Sequence, residues 1–120
     1  MNDTSKDDYH NTLKLTMDKY VNRIYDFTIC FPRDELFGVT SQIRRSSLSI
    51  ILNYIEGYAR RTQGNLKNFL NISYGSLKES KYLIYFSFKR NYLNEKKYSE
   101  LLNLNDKIGA MLWGIISKLQ

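Results

Sequence analysis

The stretch that decides the fold is residues 9–32, YHNTLKLTMDKYVNRIYDFTICFP. Its large apolar side chains fall at Tyr9, Leu13, Met17, Tyr20, Ile24, Phe27 and Phe31, at steps of four, four, three, four, three and four. That recurrence places all seven on one side of a helix with 3.6 residues per turn. Pro32 is the only proline of the chain and predicts the end of this helix, because the residue before a proline is pushed out of the helical region. An amphipathic helix of this length buries its stripe only against other elements, so the rest of the chain must supply them.

Working outward, Pro32 to Gly38 reads as a connector, and a second helix is expected from Val39 or Thr40 to about Arg60. It carries two apolar stripes: Ile43, Ser47, Ile50, Tyr54 and Tyr58, then Leu48, Ile51, Ile55 and Ala59. Together they are wider than one partner helix covers, which predicts a homo-oligomer. A third, polar row runs through Gln42, Arg45, Ser49, Asn53, Glu56 and Arg60. Thr62-Gln63-Gly64-Asn65 reads as a turn with Asn65 as the N-cap of a third helix carrying Leu66, Phe69, Leu70, Ser73, Leu77, Ile84 and Phe88. Ser73, Gly75 and Ser76 lie within one turn of it and predict a close helix approach. Asn94 is the expected N-cap of the last helix, whose stripe is Tyr98, Leu101, Asn105, Ile108, Leu112, Ile115 and Leu119. The expected fold is therefore all-α, an antiparallel up-down-up-down four-helix bundle, with residues 1–120 forming one domain and residues 1–8 a flexible tail.

Charge narrows the function. The 120 residues carry 18 Lys and Arg against 12 Asp and Glu, a net charge of +6. Between Arg44 and Arg90 nine basic residues face only Glu56 and Glu79. A local excess of that kind concentrates polyanions, RNA or DNA above all. The alternative is that these residues merely solvate helix faces. Tyr82, Tyr85, Phe86 and Phe88 cluster among Lys78, Lys81, Lys89 and Arg90, and are expected to be core and subunit-contact rings in preference to base-stacking ones.

Chemistry is poorly provided for. No apolar run is long enough to cross a membrane, so no membrane partner is expected. The single cysteine, Cys30, excludes an internal disulfide and suits a cytoplasmic setting. One cysteine and one histidine are too few soft ligands for a zinc site, so neither metal nor cofactor is expected. His10 is expected in a frayed first turn. Cys30 is expected to be packed or half-exposed rather than a nucleophile. Glu56 and Glu79 lack the Glu-x-x-His partners of a di-metal bundle. Glu56 is expected to pair with Arg60, or with Arg44 or Arg45 of a neighbouring copy. No catalytic residue is expected.

Three blocks carry a resemblance. They are Phe31-Pro32-Arg33-Asp34-Glu35-Leu36-Phe37-Gly38-Val39-Thr40-Ser41-Gln42-Ile43-Arg44-Arg45, then Ser49 to Gly57 with Arg60-Arg61-Thr62, then Phe69 to Glu79. In this order they resemble the bacterial four-helix proteins encoded within intervening sequences of 23S rRNA genes. Three departures stand out: Ile51 replaces the family's proline, Tyr54 and Ile55 replace smaller residues, and Ser80-Lys81 replaces Leu-Glu. The first predicts an unbroken second helix, and the second altered packing at a subunit contact.

The resemblance implies a homopentameric ring of four-helix bundles. The chain is also similar to the accessory variability proteins of diversity-generating retroelements, basic pentamers that bind a reverse transcriptase and its template RNA. On the charge and the resemblance together, the expected function is non-catalytic binding of structured RNA or other nucleic acid as a scaffold or accessory protein. The alternative is an adaptor for a nucleic-acid enzyme such as a reverse transcriptase. The expected phosphate contacts are Arg44, Arg45, Arg60, Arg61, Lys67, Lys78 and Lys81. Gln42, Asn53 and Glu56 are expected to fix inter-helix or inter-subunit register.

Overall fold

In the computed structural model, which describes residues 2–119, the chain forms α1 (Asn2–Thr28), α2 (Val39–Ala59), α3 (Gln63–Lys89) and α4 (Glu95–Ile116). A 3-10 turn, Arg33–Glu35, lies between α1 and α2. Contacts between neighbours fix their directions. His10 meets Tyr54 and Thr28 meets Arg44, so α1 and α2 run antiparallel. Ser49 bonds Ser76 at 2.8 Å and Ser73 donates to the Ile50 carbonyl at 2.7 Å, which does the same for α2 and α3. Lys81 reaches Asp106 while Phe88 stacks on Tyr98, and Tyr9 reaches Met111 while Arg23 reaches Glu100. Each helix therefore lies between two antiparallel neighbours, in a bundle of 47 × 25 × 19 Å.

The stripes read from spacing meet in the centre. Leu13, Met17, Tyr20 and Ile24 close on Ile43 and Ile50, on Leu70, Leu77 and Ile84, and on Leu101, Ile108 and Leu112, all fully buried. Each contributes about 1.5–3 kcal/mol on leaving water. The α2–α3 seam is closed by small residues: Ser46, Ser47 and Gly57 on α2, Ser73 on α3. A Cβ on Gly57 would sit 3.1 Å from Phe69 Cβ, so this glycine sets the approach. Gly75, expected to share that role, faces open space. α2 passes Ile51 without a break.

Several boundaries differ from expectation. α1 begins at Asn2, so within the expected tail residues 2–8 continue the helix, with Ser5 to Asp8 exposed; Met1 lies outside the described residues. His10 consequently sits two turns inside the helix and not in a fraying first turn. α1 also stops at Thr28, four residues before Pro32, where Cys30 and Phe31 donate to the carbonyls of Phe27 and Thr28 in tight turns. Thr62, not Asn65, caps α3: its Oγ1 accepts the Asn65 N–H at 3.2 Å. Both residue types cap well, and the extended backbone at Arg60 and Thr62 selects the earlier one. Asn94 caps α4 as expected, accepting the Lys97 N–H at 2.8 Å. Asn91, at φ 65°, ends α3 in the left-handed conformation suited to a helix C-terminus.

Candidate nucleic-acid interface

The expected phosphate contacts do not form one surface. Consecutive helical residues point about 100° apart, and Arg44 and Arg45 consequently lie on different flanks of α2. Arg44 turns to α1, where its Nε donates to Thr28 Oγ1 at 2.9 Å and its guanidinium lies 4.9 Å from the Tyr25 ring centroid. Arg45 turns to α3 and lines a groove of about 390 Å³ with Gln42, Ser46, Ser49, Ser76 and Glu79. In that groove Ser49 meets Ser76, and one turn further along α2 Asn53 donates to both oxygens of Ser49 at 2.9 Å. Gln42 is exposed at its rim. Asn53 thus bonds within α2, and the link across to α3 is the one Ser49 makes with Ser76.

At the far end of α2, Glu56 and Arg60 form an ion pair at 2.7 Å one helical turn apart, with the guanidinium 5.4 Å from the Phe69 ring centroid. Arg61, exposed, and Lys67, half-buried, lie beside this end and hold no ion pair among the described residues. Lys78 and Lys81 belong to the opposite flank, between α3 and α4: Lys81 bonds Asp106 at 2.9 Å, and Lys78 lies 5.2 Å from the Tyr74 ring centroid. Among the expected contacts, Arg45, Arg61 and Lys67 make no ion pair, hydrogen bond or ring contact through their side chains among the described residues.

The carboxylates expected to be unsuited to a shared metal lie apart. Glu79 faces Arg45, whereas Glu56 sits eleven residues further along α2, about 16 Å away at helical rise. Cys30 is exposed just past α1.

Sequence reasoning missed three features. Glu35, read as connector, accepts the Val39 N–H at 3.2 Å with one oxygen and the Tyr92 hydroxyl at 2.8 Å with the other. These bonds, the Val39 N–H first, hold its carboxyl below the ordinary carboxylate pKa. A Cβ on Gly38 would come 2.5 Å from Glu35 Oε1, so glycine is what lets this carboxylate cap α2. The spacing of Glu35 before the helix was the available signal.

The second is an aromatic cluster at the open end of the α1–α2 groove. His10 Nδ1 bonds the hydroxyl of Tyr54, and the imidazole stands edge-on to Tyr58 at 5.0 Å. Burial, then Lys14 and Lys6, push the His10 pKa down, while burial pushes that of Tyr54 up. Both shifts favour the neutral forms, and the imidazole tautomer sets which of the two groups donates. Tyr54 was expected at a subunit contact; it is buried inside its own chain.

The third is exposure on α3. Tyr82 and Tyr85, expected to be core or contact rings, are 61% and 46% exposed on this chain, whereas Phe86 and Phe88 are half-buried. Their spacing from the buried stripe was legible, but an apolar ring weighs toward burial in any periodicity count.

Among the described residues, no helix is long and apolar enough to cross a membrane. A family model described as 23S rRNA-intervening sequence protein matches residues 12–114. Among solved structures the chain is similar to a crystal structure from Bacteroides thetaiotaomicron VPI-5482, a protein with unknown function from the S23 ribosomal protein family. The two share 23% identity at a TM-score of 0.84, covering 92% of this chain and 99% of that one. At that identity the likeness establishes the fold. No curated protein sequence matches the chain.

Proposed function

The chain belongs to the 23S rRNA-intervening sequence protein family, and from that footing we propose that it is a non-catalytic, nucleic-acid-binding scaffold that grips structured RNA through its phosphates. The observation that carries this reading is the set Arg45 on α2, Arg61 in the α2–α3 turn and Lys67 on α3, whose side chains bond no partner among the described residues, within a segment where nine basic residues face two acids. A cation already bonded inside its own chain gives up that bond to take a phosphate. Arg61 and Lys67 give up only water, and Arg45 shares its groove with Glu79 without bonding it. Such contacts position the RNA without reading its bases. Replacing all three by glutamine tests the reading. RNA affinity should fall and the salt dependence should flatten by about three contacts' worth. An unchanged salt slope would remove these residues from the interface.

A second reading has its own observation. Leu52 and Ile55 on α2 are 53% and 50% exposed, and with Leu48 and Ala59 they form an apolar stripe turned away from the core. This supports assembly as a homo-oligomer, a pentamer if the family resemblance extends to assembly, or docking on a nucleic-acid enzyme as an adaptor. Either arrangement is compatible with phosphate binding by the remaining faces. The lone exposed thiol of Cys30 fits a cytoplasmic setting.

A further inference from the structure

Lys78, Tyr82, Tyr85 and Lys89 follow one another along α3 at steps of four, three and four. They therefore share one face, over about 16 Å. All four are exposed, and the tyrosine rings, 6.3 Å apart and inclined at 46°, leave their faces uncovered by each other. Toward α4 the same face continues into a cleft of about 220 Å³ lined by Tyr74, Lys78 and Trp113. Trp113 is 52% exposed, and its ring lies 5.6 Å from that of Tyr74. Asp106, the carboxylate of this cleft, is paired with Lys81 at 2.9 Å, which leaves the Lys78 ammonium without a carboxylate partner there, 5.2 Å from the Tyr74 ring centroid.

Exposed rings between ammonium groups are complementary to a polymer that alternates planar apolar faces with negative charge. Single-stranded nucleic acid has that chemistry: bases stack on aromatic side chains while phosphates meet the cations. A duplex keeps its base faces covered and gains nothing from the rings. An apolar protein surface would strip water from Lys78 and Lys89 without offering them a partner. Tyr82 at the same time borders a cleft toward α2 with Val39 and Gln42, so the rings stand on the outward side of α3 between its two neighbours. We infer that this outward face of α3, with the α4 cleft at its Lys78 end, is a stacking track for unpaired bases. The inference rests on the phosphate-binding reading above and adds that the bound RNA presents single-stranded nucleotides here.

The test compares the parent with the double variant Tyr82→Leu/Tyr85→Leu, both at full length. Leucine keeps the helix and an apolar surface but has no ring. Fluorescence anisotropy is measured with a short oligoadenylate and with a short RNA duplex, and the emission of Trp113, the only tryptophan, is followed in parallel. The parent should bind oligoadenylate with quenching of Trp113. The variant should lose about tenfold or more of that affinity while binding the duplex as the parent does. Equal oligoadenylate binding by parent and variant would overturn the track. So would a parent that binds duplex but not oligoadenylate, although phosphate binding would then stand. A parent that binds neither overturns both readings. A variant that keeps its helical signal but sediments as a smaller assembly also overturns the track, because the face would then be a contact between copies.

Discussion

The side-chain amide of Asn105 on α4 donates to the phenol oxygen of Tyr20 on α1 at 2.9 Å. It begins a chain of bonds across the buried centre of the bundle. Because Ser80 on α3 donates its own hydrogen to the Leu77 carbonyl, its oxygen accepts the Tyr20 hydroxyl at 2.9 Å. Burial raises the Tyr20 pKa to about 12, so the phenol stays a donor. Three helices are thereby held in one register. Tyr20→Phe should cost about 1–2 kcal/mol in denaturant unfolding, because it strands the partners of a buried hydroxyl. A neutral result would mean that water or repacking replaces the link.

The adjacent arginines of α2 should separate stability from binding. Arg44→Ala removes the Thr28 bond and the contact with Tyr25, and should cost about 1 kcal/mol of stability. Arg45→Ala should leave thermal unfolding unchanged, weaken RNA binding and reduce the salt slope by about one. Equal effects of both variants on unfolding and binding would mean that the division of roles is wrong.

Acid should loosen the α1–α2 end. The His10 pKa is lowered below 6.5 by burial first, so folding favours the neutral imidazole. Its contribution is fully present above that unfolded value and is lost as pH falls through the lower folded value. Protonation also places a charge that Lys14 and Lys6 oppose. Stability measured by urea unfolding should therefore decline on acidification below about pH 6.5, and His10→Gln should flatten that stretch of the profile. A parent and variant with parallel profiles would contradict this.

Two glycines inside helices should respond oppositely. Gly75 faces open space, so Gly75→Ala should stabilise by about 0.5–1 kcal/mol through helix propensity. Gly57→Val should destabilise, because even a Cβ there meets Phe69 and Leu66 at 3.1 and 3.3 Å. Thermal unfolding of the two variants decides it.

Much of the fold was legible because burial follows a local period. The spacing of Leu13, Met17, Tyr20 and Ile24 identifies their common face without knowledge of what covers it. The same logic extended to Asn105, which kept its place in the α4 stripe although its chemistry there is polar. What periodicity leaves open is which neighbour each flank meets. Arg44 and Arg45 are one residue apart, yet only the bundle shows that one is held by α1 and the other lies open beside α3. Tyr82 and Tyr85 lie outside the core for a related reason: an aromatic ring suits a core, a contact between copies and a stacking surface equally, and spacing alone does not choose. Glu35 escaped notice because its role depends on Gly38 folding back and on Tyr92, 57 residues later, arriving beside it.

Phosphate binding is tested most directly by anisotropy of the purified protein with a structured RNA and a duplex DNA, each titrated across salt. Binding should be tight at low salt and weaken by orders of magnitude between about 50 and 200 mM. Affinity that holds constant over that range, or no binding at the lowest salt, would contradict it and leave the basic band to solvent or to contacts between copies.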